Sequence, residues 1–144
     1  MYQHQTSIRV RYAETDQMGY VYYGNYATYY EVGRVELIRS LGLSYKELEQ
    51  RGVMLPVLEY KIKYVKPAFY DTELKVITSI EKLPSTRISF HVKCMNEQGE
   101  LLNFGEVKLV FVDKNTGKPC EAPSDLLEKL NPYFTKPSSS ADKA

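Results

Sequence analysis

The sequence predicts an α+β chain in which a curled antiparallel sheet wraps one long helix. Two observations lead there. One helical period runs from Asn25 to Leu41, and it is followed by a series of alternating polar and apolar segments joined by short polar turns. Consecutive strands with such short connections pair antiparallel. A lone helix buried by one sheet needs that sheet to curl around it. The 144 residues suggest one domain. A chain of that length buries roughly two-thirds of its unfolded surface and needs no staples to fold.

The elements follow in order. From Thr6 to Tyr12 the residues Ile8, Val10 and Tyr12 alternate with Arg9 and Arg11, a half-buried strand, with His4 in a frayed terminus before it. Ala13 to Gly19 is a polar loop closed by glycine. Tyr26, Tyr29, Tyr30, Gly33, Leu37 and Leu41 then fall at helical spacing, with Asn25 as the expected N-cap and Gly42 as the stop. Gly33 in mid-helix implies a close approach to the sheet. A shorter helix is expected from Ser44 to Arg51, ending at Gly52. Strands centred on Ile62, Val76, Phe90 and Leu109 follow, separated by turns at Pro84-Ser85 and Asn96-Glu97-Gln98-Gly99, and Asp113 to Gly117 makes a further turn. A short helix is expected over Ser124 to Leu130. Lys136 to Ala144 has no apolar residue beyond Ala and Pro and reads as a disordered tail, which leaves residues 1–135 as the folded domain.

Charge nearly cancels, with 19 Lys and Arg against 18 Asp and Glu. That balance argues against nucleic acid or an acidic membrane as the main partner. Cys94 and Cys120 sit in neither a metal-ligand spacing nor a redox pair and read as free thiols. No ligand cluster for a metal appears, and no cofactor is expected. With no signal peptide and no apolar run near 18 residues, the chain reads as soluble and cytoplasmic.

Chemistry concentrates in Glu14 to Arg39, where six of the 13 tyrosines fall (Tyr20, Tyr22, Tyr23, Tyr26, Tyr29 and Tyr30). A carboxylate loop there precedes the N-terminus of an apolar helix, whose first amides have no internal partner and carry partial positive charge. Asp16, close to such donors, can attack a carbonyl they polarise or activate water toward it. An Asx-turn in a polar loop accounts for Asp16 equally well.

This segment resembles the signature of the 4-hydroxybenzoyl-CoA thioesterase family, above all its branch of bacterial acyl-CoA thioesterases associated with the Tol-Pal system. The resemblance runs through Thr15-Asp16-Gln17-Met18-Gly19, the aromatic stretch ending Asn25-Tyr26, the helical run Glu31-Val32-Gly33-Arg34-Val35-Glu36, and Tyr64-Val65-Lys66-Pro67-Ala68 with Asp71. It spans roughly Thr6 to Phe134. It implies a hot-dog fold, hydrolysis of acyl-CoA thioesters, homodimers or homotetramers with sites between subunits, and no cofactor. It puts the catalytic carboxylate on Asp16 and the polarising backbone N–H on Tyr23. It also implies substrate contacts from Gly19, Val21, Tyr22, Asn25, Tyr26 and Lys66. The branch usually carries histidine where this chain has Tyr23, which bears on substrate preference.

Other residues have plainer readings. Tyr26 and Tyr30 are expected to pack, while some of Tyr20, Tyr22 and Tyr23 border the acyl pocket. Glu31, Arg34 and Glu36 read as a solvated or interface face. Lys61, Lys63, Lys66 and Arg87 could meet the CoA phosphates, although exposed strand lysines are common. His4 and His91 do not look catalytic, so a Ser-His-Asp triad or a histidine metal site is not expected. Val110 and Val112 are expected to need a partner subunit. An acyl-carrier-protein thioesterase is an alternative, as is a non-catalytic acyl-binding protein of the same fold. A hot-dog dehydratase would need a histidine near the helix, and none is there.

Overall fold

The computed structural model describes residues 1–135; the segment read above as a tail lies outside the described residues. Strand β1 (Tyr2–Arg9) is followed by a 3-10 turn (Tyr12–Glu14), the long helix α1 (Asn25–Ser40) and a short helix α2 (Tyr45–Gln50). Then come β2 (Val53–Met54), β3 (Val57–Tyr64), β4 (Glu73–Ile80), β5 (Arg87–Met95), β6 (Leu101–Val110) and β7 (Val112–Asp113). Helix α3 (Ser124–Leu130) and a 3-10 turn (Asn131–Tyr133) complete the described chain. The main sheet has the order β1-β4-β5-β6-β3, antiparallel throughout, while β2 and β7 pair separately.

Strand alternation follows the expected pleat. In β5 the buried residues are Ile88, Phe90, Val92 and Cys94, with Ser89, His91 and Lys93 on the other face. This buried face packs on α1 through Tyr30, Leu37 and Ile38. Helix and sheet approach closely at Gly33, where a Cβ would sit 2.5 Å from Thr78 Oγ1 and 2.8 Å from Val76 Cγ1. Any larger residue would push α1 off β4, which is why glycine stands in mid-helix despite a propensity cost of about 1 kcal/mol. Ser44 caps α2 by accepting from the Glu47 N–H at 3.1 Å.

Several expectations change. The first strand begins earlier and ends earlier: His4 is paired with Thr78 in the ladder, and Tyr12 stands in the 3-10 turn, 77% exposed. Strand β1 ends because the chain turns there to meet the β3–β4 connection, with the Val10 amide bonding to the Thr72 carbonyl. Asn25 is not the N-cap. Gly24 holds that place, and the Asn25 side chain instead donates to the Glu14 carbonyl at 2.8 Å. Arg34 is not on a solvated face but buried, because α1 turns that side toward β3. Val110 is buried and Val112 half-buried within the chain, since β7 folds back on β2. Unpaired backbone lies instead on the edges β1 and β3, and on β3 the exposed apolar residues are Val57, Leu58 and Tyr64.

Candidate active site

Three chain segments meet at the N-terminus of α1. The first is the loop after the 3-10 turn. Asp16 to Gly19 forms a tight turn in which the Gly19 amide bonds to the Asp16 carbonyl at 2.9 Å. Gly19 has φ +82°, a region that favours glycine. The Asp16 amide then bonds to the Tyr20 carbonyl at 2.8 Å, closing the loop. The Val21 amide bonds to the Ala68 carbonyl at 2.8 Å, and so pins this loop to the second segment, the connection after β3. The third segment is the helix start. There the Tyr22 amide and the Asn25 side chain both donate to the Glu14 carbonyl, each at 2.8 Å.

Glu14 is the hub of this junction, and the sequence reading gave it no role. Its Oε1 accepts from the Arg11 amide at 2.9 Å and from the Tyr29 hydroxyl at 2.7 Å, while Oε2 meets the Arg11 guanidinium at 2.7 Å. Burial alone pushes its pKa up, but the Arg11 amide, the Tyr29 hydroxyl and the Arg11 charge outweigh it and hold the carboxyl below its ordinary value. The signal was the spacing Arg11-x-x-Glu14, a reciprocal cap of a one-turn helix.

Asp16 does make an Asx-turn: its Oδ1 accepts from the Met18 amide at 2.9 Å and from the Tyr20 amide at 3.3 Å. Both bonds fall on that one oxygen, and among the described residues Oδ2 accepts none. The two readings of Asp16 therefore coexist, since one oxygen orients the group and the other remains open. At the helix start the Asn25 amide bonds to the Tyr22 carbonyl and the Tyr26 amide to that of Tyr23. The amides of Tyr23 and Gly24 find no acceptor among the described residues. Such donors sit where helix polarity favours negative charge.

A cavity of about 260 Å³ opens between these segments, lined by Asp16, Val21, Tyr23, Tyr26 and Lys66. Its walls also include Met18, Tyr20, Tyr64, Val65 and Pro67; of the three tyrosines expected to border a pocket, Tyr20 and Tyr23 do so and Tyr22 does not, while Met18 has no role in the sequence reading. Gly19, Tyr22 and Asn25 do not line it. Gly19 shapes the turn, Asn25 ties helix to loop, and Tyr22 stacks its exposed ring on Tyr23 at 4.7 Å. Lys66 stands at the rim with its Nζ 2.6 Å from Glu100 Oε2. Tyr26 is buried, and desolvation raises its pKa to about 12. Its hydroxyl therefore stays protonated at neutral pH and is a donor, not a base.

This is not the largest cavity. One of about 480 Å³ lies on the outer face of the sheet beside His91. His91 there stands 3.6 Å from Glu81 and 3.8 Å from Glu106. Among the described residues no group of His, Cys, Asp and Glu side chains could hold a metal ion, and no helix is long and apolar enough to cross a membrane. The Asp16 cavity brings into one lining a carboxylate with an oxygen that accepts no hydrogen bond among the described residues and Tyr23, whose backbone N–H finds no acceptor among them; a carboxylate and a fixed backbone donor are groups that acyl-transfer chemistry uses.

Comparison with known proteins points the same way. Residues 10–130 match the thioesterase-like superfamily. The chain is 41% identical over 114 residues to the Bacillus subtilis protein YneP, covering 79% of this chain and 83% of that one. It is 32% identical over 123 residues to the acyl-CoA thioester hydrolase YbgC of Escherichia coli, covering 85% of this chain and 92% of the relative. The crystal structure of the DHNA-CoA thioesterase of Staphylococcus aureus superposes with a TM-score of 0.86 at 35% identity, over all of both chains. The curled sheet around α1 is thus the hot-dog fold that the sequence implied.

Proposed function

The chain belongs to the thioesterase-like superfamily, and from that premise we propose that it hydrolyses acyl-CoA thioesters to the free acid and CoA, with Asp16 as the catalytic carboxylate. The Tyr23 N–H polarises the thioester carbonyl. As negative charge builds on the carbonyl oxygen, a fixed donor at the helix start stabilises it without reorganising. Asp16 Oδ2 either attacks the carbonyl carbon, giving a mixed anhydride that water opens, or takes a proton from water as that water attacks. In both routes the C–S bond breaks and CoA leaves as the thiol; in the general-base route the acyl carbon gains the oxygen of water, whereas water that opens the anhydride at the aspartyl carbonyl leaves its oxygen on Asp16 and an Asp16 oxygen on the released acid. Val21, Tyr26 and Tyr64 supply an apolar wall for the acyl group, and Lys66 stands where the CoA arm would leave the cavity.

The observation that carries this reading is the meeting, in one cavity, of an Asp16 oxygen without a donor and a Tyr23 amide without an acceptor. Thiol release from acetyl-, hexanoyl-, palmitoyl- and benzoyl-CoA tests it, and at least one should turn over without added metal. Binding of acyl-CoA with no release from any of them would leave a non-catalytic acyl-binding protein. Single turnover in oxygen-18 water separates the two routes, because label reaches the Asp16 carboxylate only if an anhydride forms. An assembly of two or more chains would cover the exposed Val57, Leu58, Tyr64 and Val65 along the β3 edge. Sedimentation of an active monomer would contradict that.

A further inference from the structure

The loop that carries Asp16 and the helix start that carries Tyr23 meet at one backbone atom, the Glu14 carbonyl oxygen. It accepts from the Tyr22 amide at 2.8 Å and from Asn25 Nδ2, also at 2.8 Å. Glu14 lies two residues before Asp16, and Tyr22 directly precedes Tyr23. One hydrogen bond between two segments is a pivot. A second, from three residues further along, stops rotation about it. The Asn25 bond is partly buried, where water competes less for the carbonyl.

Asn25 also acts on the donor from the other side. Its backbone amide bonds to the Tyr22 carbonyl at 2.8 Å. That carbonyl and the Tyr23 N–H belong to one planar peptide and point in opposite directions across a trans bond. Holding the carbonyl toward the helix therefore aims the Tyr23 N–H away from the helix body. The other contacts at this junction do not do the same work. The bonds from the Met18 and Tyr20 amides orient Asp16 within its own loop, and they do not set where that loop stands relative to α1. Tyr29 reaches Glu14 too, but at the carboxylate, a side chain that can turn about its own bonds. Asn25 holds the main chain.

We propose that Asn25 is a positioning residue for thioester cleavage, holding the Tyr23 N–H and the Asp16 carboxylate in one fixed relation without touching the substrate. The inference rests on the hydrolase reading above. Asn25 does not line the cavity, which sets this role apart from the substrate contact that the family resemblance implies. The carboxylate and the polarising donor must serve the same carbonyl group, and a misplacement of about 1 Å can cost about 10²-fold in rate.

The test measures kcat and KM for hexanoyl-CoA, or for whichever of the four thioesters wild type cleaves fastest, in wild type, Asn25→Ala, Asp16→Asn and the double variant. Asn25→Ala should lower kcat about tenfold to a hundredfold and leave KM within about twofold. Added to Asp16→Asn, the same change should cost about twofold or less, because groups that act as a unit are not additive. Nitrogen-15 relaxation reads the clamp without turnover. The order parameter of the Tyr23 amide should be about 0.85 in wild type and fall toward about 0.6 in Asn25→Ala. A raised KM with kcat kept would make Asn25 a substrate contact and overturn the inference. A lowered melting temperature with kcat per folded molecule unchanged would overturn it, as would an equal loss in both backgrounds or an unchanged order parameter. Should Asn25→Ala not fold, Asn25→Asp, which keeps the shape but sets an acceptor against the Glu14 carbonyl, carries the same measurements. If wild type cleaves none of the thioesters, the hydrolase reading has failed, and the relaxation alone decides whether Asn25 holds the Tyr23 N–H.

Discussion

The C-terminal half of α1 buries Leu37 and Ile38 among Ile80, Phe90, Leu126 and Leu130, whereas the N-terminal half buries Tyr26, Tyr29 and Tyr30. By burial the two halves are alike. They differ in what their atoms need. Aliphatic side chains need only a close fit, while each buried hydroxyl needs a partner. Tyr29 finds Glu14 at 2.7 Å and Tyr30 finds Asn103 Oδ1 at 2.6 Å. Those bonds tie the helix start to the Asp16 loop and to the sheet, and so fix the positions of the few groups left unpaired. Burial alone does not separate the aliphatic end from the end that adjoins the candidate site; following each polar group to its partner does.

The strongest way to break this division is Asp16→Asn. The amide oxygen can still accept from the Met18 and Tyr20 amides, so the turn and the melting temperature should hold. Turnover should fall about 10²- to 10⁴-fold, the usual contribution of a positioned acid–base group. Thiol release and a thermal melt on the same sample check both halves of that statement. A lowered melting temperature with turnover retained would reduce Asp16 to its Asx-turn.

Leu37→Ala is the mirror experiment at the other end. Leu37 is wholly buried in the aliphatic cluster. Its truncation should cost about 2–5 kcal/mol in urea unfolding, while kcat per folded molecule stays near wild type. A specific loss of kcat would show that the two halves are coupled more tightly than their packing suggests.

Glu14→Gln sharpens the comparison because Glu14 joins the two regions. The variant should lose about 1–3 kcal/mol, as hydrogen bonds from Arg11 and Tyr29 lose their charged acceptor. The pH dependence has a definite sign. The carboxyl's folded pKa lies below its ordinary 4.5, so its stabilisation is complete above that value and is lost as pH falls through the folded pKa. Acid unfolding below pH 4.5 should therefore be steeper in wild type than in Glu14→Gln.

Much of the fold was legible because the period changes sharply at Asn25 and again after Gly52. Helix α1, α2, α3 and the four long strands after the helices follow from spacing and turns. The small β2–β7 pair escaped, since two-residue strands carry no period. Arg34 escaped because a charged residue beside Glu31 and Glu36 reads as surface, and only the placement of β3 buries it. At the site, Asp16 and Tyr23 came from family resemblance, and the sequence alone left Asp16 evenly balanced. The Glu14 hub depends on main-chain carbonyls and on Tyr29, fifteen residues away; no local pattern announces such a contact.

The smallest expected effect belongs to Tyr23→Phe, and its smallness is informative. The Tyr23 ring is 64% exposed and stacks on Tyr22, and its hydroxyl has no partner that the fold requires. Surface changes of that kind stay within about 0.5 kcal/mol in stability. The proposed catalytic group is the Tyr23 N–H, which phenylalanine keeps. Turnover should therefore fall far less than the roughly 10²- to 10³-fold typical of losing an oxyanion donor. Steady-state thiol release measures this directly. A loss as deep as that of Asp16→Asn would move the chemistry from backbone to hydroxyl. The phenol would then fill the place where the related branch carries histidine, and the line between a pairing end and a reactive end of α1 would have to include a side chain that packing leaves free.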